Sequence, residues 1–430
     1  MESLFLKTTL SATYERLDLK PALKAKWLFL VLFIVFIPQL LYSWNVLQNS
    51  MMTDFYSRII GTRLLVENRS PYFIEQLDPA NHSRNSVNGV TATPVALWLL
   101  IPLAKMNYCN AKLTWWLIEE TILFATAFFT CLYPAKLLKQ IITIIITVIF
   151  FCYSRNWWVH VFSGQYYVLF AFAFSVVSYY SNKNKHLPLI LFPVAALIRP
   201  FFVLATLPWL LKDWKQAGKW LLPAIAFAAS FLIISGNNKL LPEYNKAMNV
   251  YSYEVTGWSK EKIKTSLNQQ LINEDCVKQS RLFESFDAAC LFSLQHYLRL
   301  FGIIINSPAY FTVLLAAVLT ILLLLSYKTI MSNNENLVIF SFLVYMLCEL
   351  FTPANRNPYN MVQYLGILGL LIHVCHTKPM LLFITGLALN HSLPFSFTYQ
   401  REIGEAVMLF AIYLQLLQKD QRKVEFSDSC

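Results

Sequence analysis

The chain has 430 residues, 57% of them hydrophobic and only 14% charged, with a mean hydropathy of +0.48. That composition excludes an ordinary soluble globular protein, because apolar runs long enough to cross a bilayer recur along it. The net charge of +11 comes from Lys and Arg scattered between those runs, as positive-inside loops require, and does not point to nucleic acid.

The runs are continuous rather than alternating, which excludes a membrane barrel. The expected fold is an all-α polytopic membrane protein with about twelve transmembrane helices. Residues 1–26 are polar and carry Lys7, Arg16, Lys20, Lys24 and Lys26, which puts the N-terminus in the cytoplasm. No small-residue cleavage signal follows the first apolar run, 27–45, so it reads as an uncleaved span.

The external loop 46–91 opens with Asp54–Tyr72. At 100° per residue, Phe55, Tyr56, Ile59, Ile60 and Val66 fall on one side. Asp54, Ser57, Arg58, Gly61 and Thr62 fall on the other. The spacing predicts an interfacial helix with its apolar side in lipid, Asp54 in its first turn and Arg58 on the same face. A Ser-Pro-Tyr turn follows at Ser70–Tyr72.

Residues 94–106 contain Pro94 and Pro102 and form a short span or a re-entrant segment. The span 112–133 contains Glu119 and Glu120. An acid facing lipid is costly, so at least one of them is expected at an interface or in helix packing. Spans at 138–152 and 166–180 flank a polar, aromatic connection that ends in Gly164-Gln165. The segment 187–211 is broken at Ile198–Pro200, because Pro200 removes a helical hydrogen bond. Arg199, beside that break, should face a polar interior or an anion, since a guanidinium there costs roughly 2.5–3.5 kcal/mol on insertion scales.

Lys212, Lys215 and Lys219 mark an internal loop, and span 219–235 leads out to the long polar stretch 236–295. That stretch is too poor in apolar residues for a core of its own and reads as an external loop. A second interfacial helix is expected at 296–305. Spans at 309–327, 336–352, 360–376, 379–394 and 403–418 close the chain, with a cytoplasmic tail. Five segments result: 1–26, cytoplasmic; 27–235, an N-terminal membrane module; 236–308, external loop and interfacial helix; 309–418, C-terminal membrane helices; 419–430, the tail. Basic residues nearly balance on the two sides of 92–211, so they leave its topology open. Cys276 and Cys290 either pair in an oxidising compartment or remain free thiols. No CxxC, His-rich or acidic cluster calls for a metal.

The groups that can carry chemistry sit at span ends. Asp54 is the best-placed acid. Arg58, Arg199 and Arg356 are cations suited to phosphate, with Gln165 beside them. Tyr72, Asn355, Asn357 and Glu119 are placed for acceptor contacts or support. One acid and several cations at a membrane surface suit transfer from a lipid-linked sugar phosphate. The carboxylate takes the proton of an attacking hydroxyl, and the phosphate leaves as an anion without a separate acid.

At these residues the chain resembles the multispanning GT-C glycosyltransferases, and more narrowly glycosyltransferase family 87, which includes polyprenol-dependent mannosyltransferases. The resemblance rests on the order of Asp54-Phe55, Ser70-Pro71-Tyr72, Thr93-Pro94, Gly164-Gln165, Arg199-Pro200 and Thr352-Pro353. Arg199 stands where the family usually has Lys. The late loop lacks the usual His and offers Asn355, Arg356 and Asn357. The resemblance implies an inverting transfer of mannose or another sugar from a polyprenyl-phosphate donor to a lipid or glycan acceptor, with Asp54 as base. It implies no cofactor beyond that co-substrate. It also implies a location in the cytoplasmic membrane of a bacterium, with both termini inside and the reaction outside. A lipid-glycan flippase would use the same cations without needing Asp54. A polysaccharide polymerase or ligase would keep its key groups in a large C-terminal loop.

Overall fold

The computed structural model describes residues 21–72, 92–181, 183, 187–234, 240–245, 247–248, 308–351, 358–391 and 400–418. Most of the expected N-terminal segment 1–26, the helix expected at 296–305 and the tail 419–430 lie outside these residues. So do Cys276, Cys290, Asn355, Arg356, Asn357 and nearly all of 236–295.

All regular structure among the described residues is helical. The N-terminal half runs α1 (Pro21–Asn49), α2 (Thr53–Val66), α3 (Pro94–Leu99), α4 (Ile101–Ala104), α5 (Tyr108–Leu132), α6 (Leu137–Thr147), α7 (Arg155–Ser163) and α8 (Tyr167–Ser181). Then come a 3-10 turn at Leu187–Ile190, α9 (Leu191–Ala196), a 3-10 helix at Pro200–Thr206, α10 (Leu207–Lys212) and α11 (Trp214–Ile234). The C-terminal half has α12 (Pro308–Ser332), α13 (Asn334–Phe351), a 3-10 helix at Pro358–Tyr364, α14 (Leu365–Val374), α15 (Thr377–Asn390) and α16 (Gln400–Leu417).

Among the described residues, four helices are long and apolar enough to cross a membrane: Ala25–Asn49, Tyr108–Leu132, Thr312–Ser332 and Asn334–Phe351. A fifth forms if Leu137–Cys152 and Arg155–Ser163, bent by 48°, count as one. α1 and α12 leave Phe33, Ile34, Leu41, Leu324 and Leu325 exposed, as lipid-facing helices do.

α13 and α14 are buried helices of the C-terminal half. On α13, Phe342 and Tyr345 meet Phe174 and Phe202, with ring centroids 5.0 Å and 4.5 Å apart. Such pairs each add about 0.5–1.5 kcal/mol beyond area burial. α14 lies against both α5 and α8. Thr130 on α5 donates to the Leu365 carbonyl at 2.9 Å, and a Cβ at Gly369 would collide with the Thr130 carbonyl oxygen.

Two local expectations are corrected, and a third, which left two alternatives open, is narrowed. α2 is no lipid-facing interfacial helix. Its apolar Phe55, Ile59 and Leu64 are buried, but so are Ser57, Arg58 and Thr62. Protein covers both sides: Thr62 Oγ1 donates to the Leu97 carbonyl at 3.2 Å, and Phe55 stacks on Trp115 at 5.2 Å. Residues 94–106 form two short helices, neither long enough to span, because Pro102 restarts the chain. The segment 187–211 is broken into four short pieces rather than kinked once. Only the break at Arg199–Pro200 was foreseen.

Replacing Gly369 by Val should force α14 away from α5. Overpacking of this kind costs about 1–3 kcal/mol. The expected result is a lower thermal midpoint for the purified variant in detergent, and an unchanged midpoint would contradict the close crossing.

Candidate functional site

α2 sets Asp54 and Arg58 one turn apart, so their side chains share a face. α7 brings the opposing group. It ends at Gly164 in the left-handed conformation, φ 66°, with its N–H donating to the His160 carbonyl at 2.9 Å. Only glycine suits this position, since a Cβ there would lie 2.5 Å from Phe55 Cβ. The turn aims the next residue, Gln165, at α2.

The Gln165 carboxamide lies between the two charges. Its Oε1 accepts from Arg58 Nη2 at 2.7 Å, and its Nε2 donates to Asp54 Oδ2. Arg58 Nη1 donates to the Gly164 carbonyl at 2.9 Å. The guanidinium lies over the Tyr166 ring, 4.2 Å from its centroid. Arg58 and Gln165 are buried, and Asp54 is half-buried. Burial pushes the Asp54 carboxyl above its ordinary value, while the Arg58 charge and the Gln165 hydrogen bond oppose that rise.

Arg199 packs against the other end of the Gly164–Tyr167 stretch. Its Nε and Nη2 fork onto Glu349 Oε1 and Oε2, both at 2.8 Å, and Nη2 also donates to the Tyr167 hydroxyl at 2.9 Å. Tyr167 stacks on Tyr166 at 5.6 Å and on Tyr359 at 5.3 Å. Residues Gly164–Tyr167 therefore touch both guanidiniums. Tyr72 is buried nearby, its hydroxyl donating to the Ala92 carbonyl at 3.1 Å and its ring packing on Tyr244. The adjacent Thr93 hydroxyl donates to the Leu197 carbonyl, two residues before Arg199.

Glu119 and Glu120 are both buried, at 1% and 3% exposure, in contacts between helices, in keeping with the helix-packing alternative. Glu119 Oε1 accepts from Trp115 Nε1 at 2.9 Å and lies 3.6 Å from His160 Nδ1. Glu120 Oε1 accepts from Gln39 Nε2 and Trp157 Nε1, each at 3.3 Å. This layer joins the Asp54 cluster through the Phe55–Trp115 stack and through His160, whose carbonyl holds Gly164.

The structure thus brings Asp54, Arg58, Gln165, Arg199 and Tyr72 to one region and places Glu119 beside it. The sequence reading missed Glu349, Tyr166, Tyr167 and His160. Glu349 carried a usable signal: it is an acid within an apolar span, and a lone buried cation needs such a partner. Among the described residues, no group of three or more His, Cys, Asp or Glu is placed to hold a metal ion.

Cys109 is disulfide-bonded. It sits at the start of α5, which Tyr108 and Lys112 tie to the Met51 and Ser50 carbonyls just before α2. Peptide mapping of unreduced protein should recover Cys109 in a disulfide-linked peptide. Alkylation of Cys109 as a free thiol would contradict this.

Gly164→Ala should cost about 1–3 kcal/mol through the left-handed backbone and the Phe55 contact. It should also weaken any function that needs Gln165 between Asp54 and Arg58. Parental thermal stability and activity together would refute this account of the turn. Comparison of the chain with family models, with characterised proteins and with solved structures found no match, so the reading of this site rests on its own geometry.

Proposed function

We propose that the protein is an inverting glycosyltransferase of GT-C type with about twelve spans, moving a sugar from a polyprenyl-phosphate donor to a lipid or glycan acceptor. The observation that carries this reading is the Asp54–Gln165–Arg58 arrangement: a half-buried carboxylate and a cation held apart by one amide.

An acceptor hydroxyl attacks the anomeric carbon from the side opposite phosphate. Asp54 takes the hydroxyl proton as the new glycosidic bond forms. The bond between the anomeric carbon and the phosphate oxygen breaks, and its electron pair leaves on polyprenyl phosphate. Arg58 and Arg199, over the Tyr166 and Tyr167 rings, hold that anion. Gln165 keeps Asp54 and Arg58 from collapsing into a direct ion pair. Tyr72 walls the site, Glu119 supports it from below, and Arg356, with Asn355 and Asn357, contributes from the late loop.

The disulfide at Cys109 supports an oxidising compartment on this side of the membrane, as an external reaction requires. The reading places the protein in the cytoplasmic membrane of a bacterium with both termini inside. A flippase would bind the same lipid without needing an ionised Asp54.

General-base help is worth roughly 10²–10⁴ in rate. Asp54→Asn should keep donor affinity while single-turnover transfer falls by about that factor. Transfer at the parental rate would remove Asp54 as the base.

The pH dependence has a definite sign. Asp54 acts when ionised, and burial raises its value above the ordinary 3.8. The single-turnover rate should therefore rise with pH along an acid limb whose midpoint lies above 3.8, measured from saturating donor. A flat profile across that range would contradict the assignment.

A further inference from the structure

The fork between Arg199 and Glu349 is more than a way to carry a cation through apolar surroundings. Glu349 is 1% exposed and takes the Nε and Nη2 edge of the guanidinium. Tyr167 takes the remaining Nη2 hydrogen. Arg199 keeps 21% of its side chain exposed, and its Nη1 makes no hydrogen bond to the described residues. One edge of the guanidinium is thus fixed and discharged, and the other offers two N–H donors.

We infer that Glu349 is a specificity-determining residue that sets the charge preference of this site, favouring a phosphodiester over a phosphomonoester. This rests on the proposed transfer reaction. There the donor is a phosphodiester with one negative charge. The lipid product is a monoester, which carries close to two at neutral pH. A bare guanidinium would hold the product more tightly than the donor and slow its departure. With Glu349 on its inner edge, Arg199 keeps its hydrogen-bond geometry while most of its net charge is offset. The outer edge then orients a phosphate oxygen without rewarding the second charge.

Glu349 sets the preference through the difference that its own charge makes, not through the total charge of the region. Removing one negative charge about 8 Å from the phosphate, at an effective dielectric near 20, should favour a dianion over a monoanion on the order of 10- to 30-fold. The measurement is competitive binding of a polyprenyl monophosphate against the corresponding polyprenyl-phosphate hexose, in detergent, for the parent and Glu349→Gln. The expected result is a ratio shifted toward the monoester by about tenfold or more. Steady-state turnover should fall through product inhibition more than single-turnover transfer does.

The double variant Arg199→Gln/Glu349→Gln removes both charges, so its ratio should lie between those of the two single variants while both ligands bind more weakly. A structural salt bridge alone would affect stability in these variants without moving the ratio. Should Glu349→Gln not fold, Arg199→Gln leaves Glu349 unopposed and should shift the ratio the other way, toward the diester. An unmoved ratio in whichever single variant folds overturns the inference. If the parent binds neither lipid, the proposed reaction itself fails. If it binds both and the ratio stays fixed, only the role of Glu349 fails.

Discussion

The Gln165 carboxamide, with a cation on its carbonyl and a carboxylate on its amino group, is the contact on which the arrangement depends. An amide has one end of each kind, so the two charges fix which way it points. It also fixes the distance between them: Asp54 and Arg58 stand one helical turn apart and would otherwise pair directly, leaving neither for a ligand. Several features of the fold serve this one contact. α7 must stop at Gly164 in a conformation that only glycine takes easily, and Phe55 must close over that turn. α2 must be packed on both sides so that Arg58 does not snorkel to lipid.

The two guanidiniums are treated differently, and this gives the region its chemistry. Arg58 is held by a carbonyl, an amide oxygen and an aromatic face, none of which carries a formal charge. Arg199 is held by a full carboxylate in bidentate geometry. Breaking such a pair by removing one partner typically costs about 3–5 kcal/mol, because the other charge is left buried and uncompensated. Arg58 is therefore the stronger electrostatic centre, and Arg199 the better-oriented one. Arg58 lies over the Tyr166 ring and Arg199 over the Tyr167 ring of one stacked pair. The spanning helices act as scaffold: the aromatic core around Tyr345 and Phe202 locks α13 to the segment that carries Arg199.

Much of the site was legible because its residues break local rules. Asp54 and Arg58 interrupt an apolar helix, Arg199 sits beside a proline break in an apolar segment, and Gln165 follows a glycine at a span end. Each departs from what lipid tolerates. What was not legible is pairing. Glu349 lies 150 positions from Arg199, and nothing in a single sequence joins them. His160 on α7 and Glu119 on α5 meet only through the fold, 3.6 Å apart across separate helices. The misreading of α2 has a related cause: periodicity separates apolar from polar sides but does not say what covers them. In α2 protein covers both. The 3-10 pieces around Pro200 were missed for a local reason, since apolar composition hides where backbone hydrogen bonds change register.

The central claim is that this site transfers a sugar from a polyprenyl-phosphate donor. The most direct measurement is incubation of purified protein with a panel of radiolabelled polyprenyl-phosphate sugars, following loss of donor and release of polyprenyl phosphate. The account predicts turnover of one donor in the panel, to acceptor or slowly to water. Tight binding of these lipids with no turnover of any, even in the presence of membrane-extracted acceptors, would contradict it.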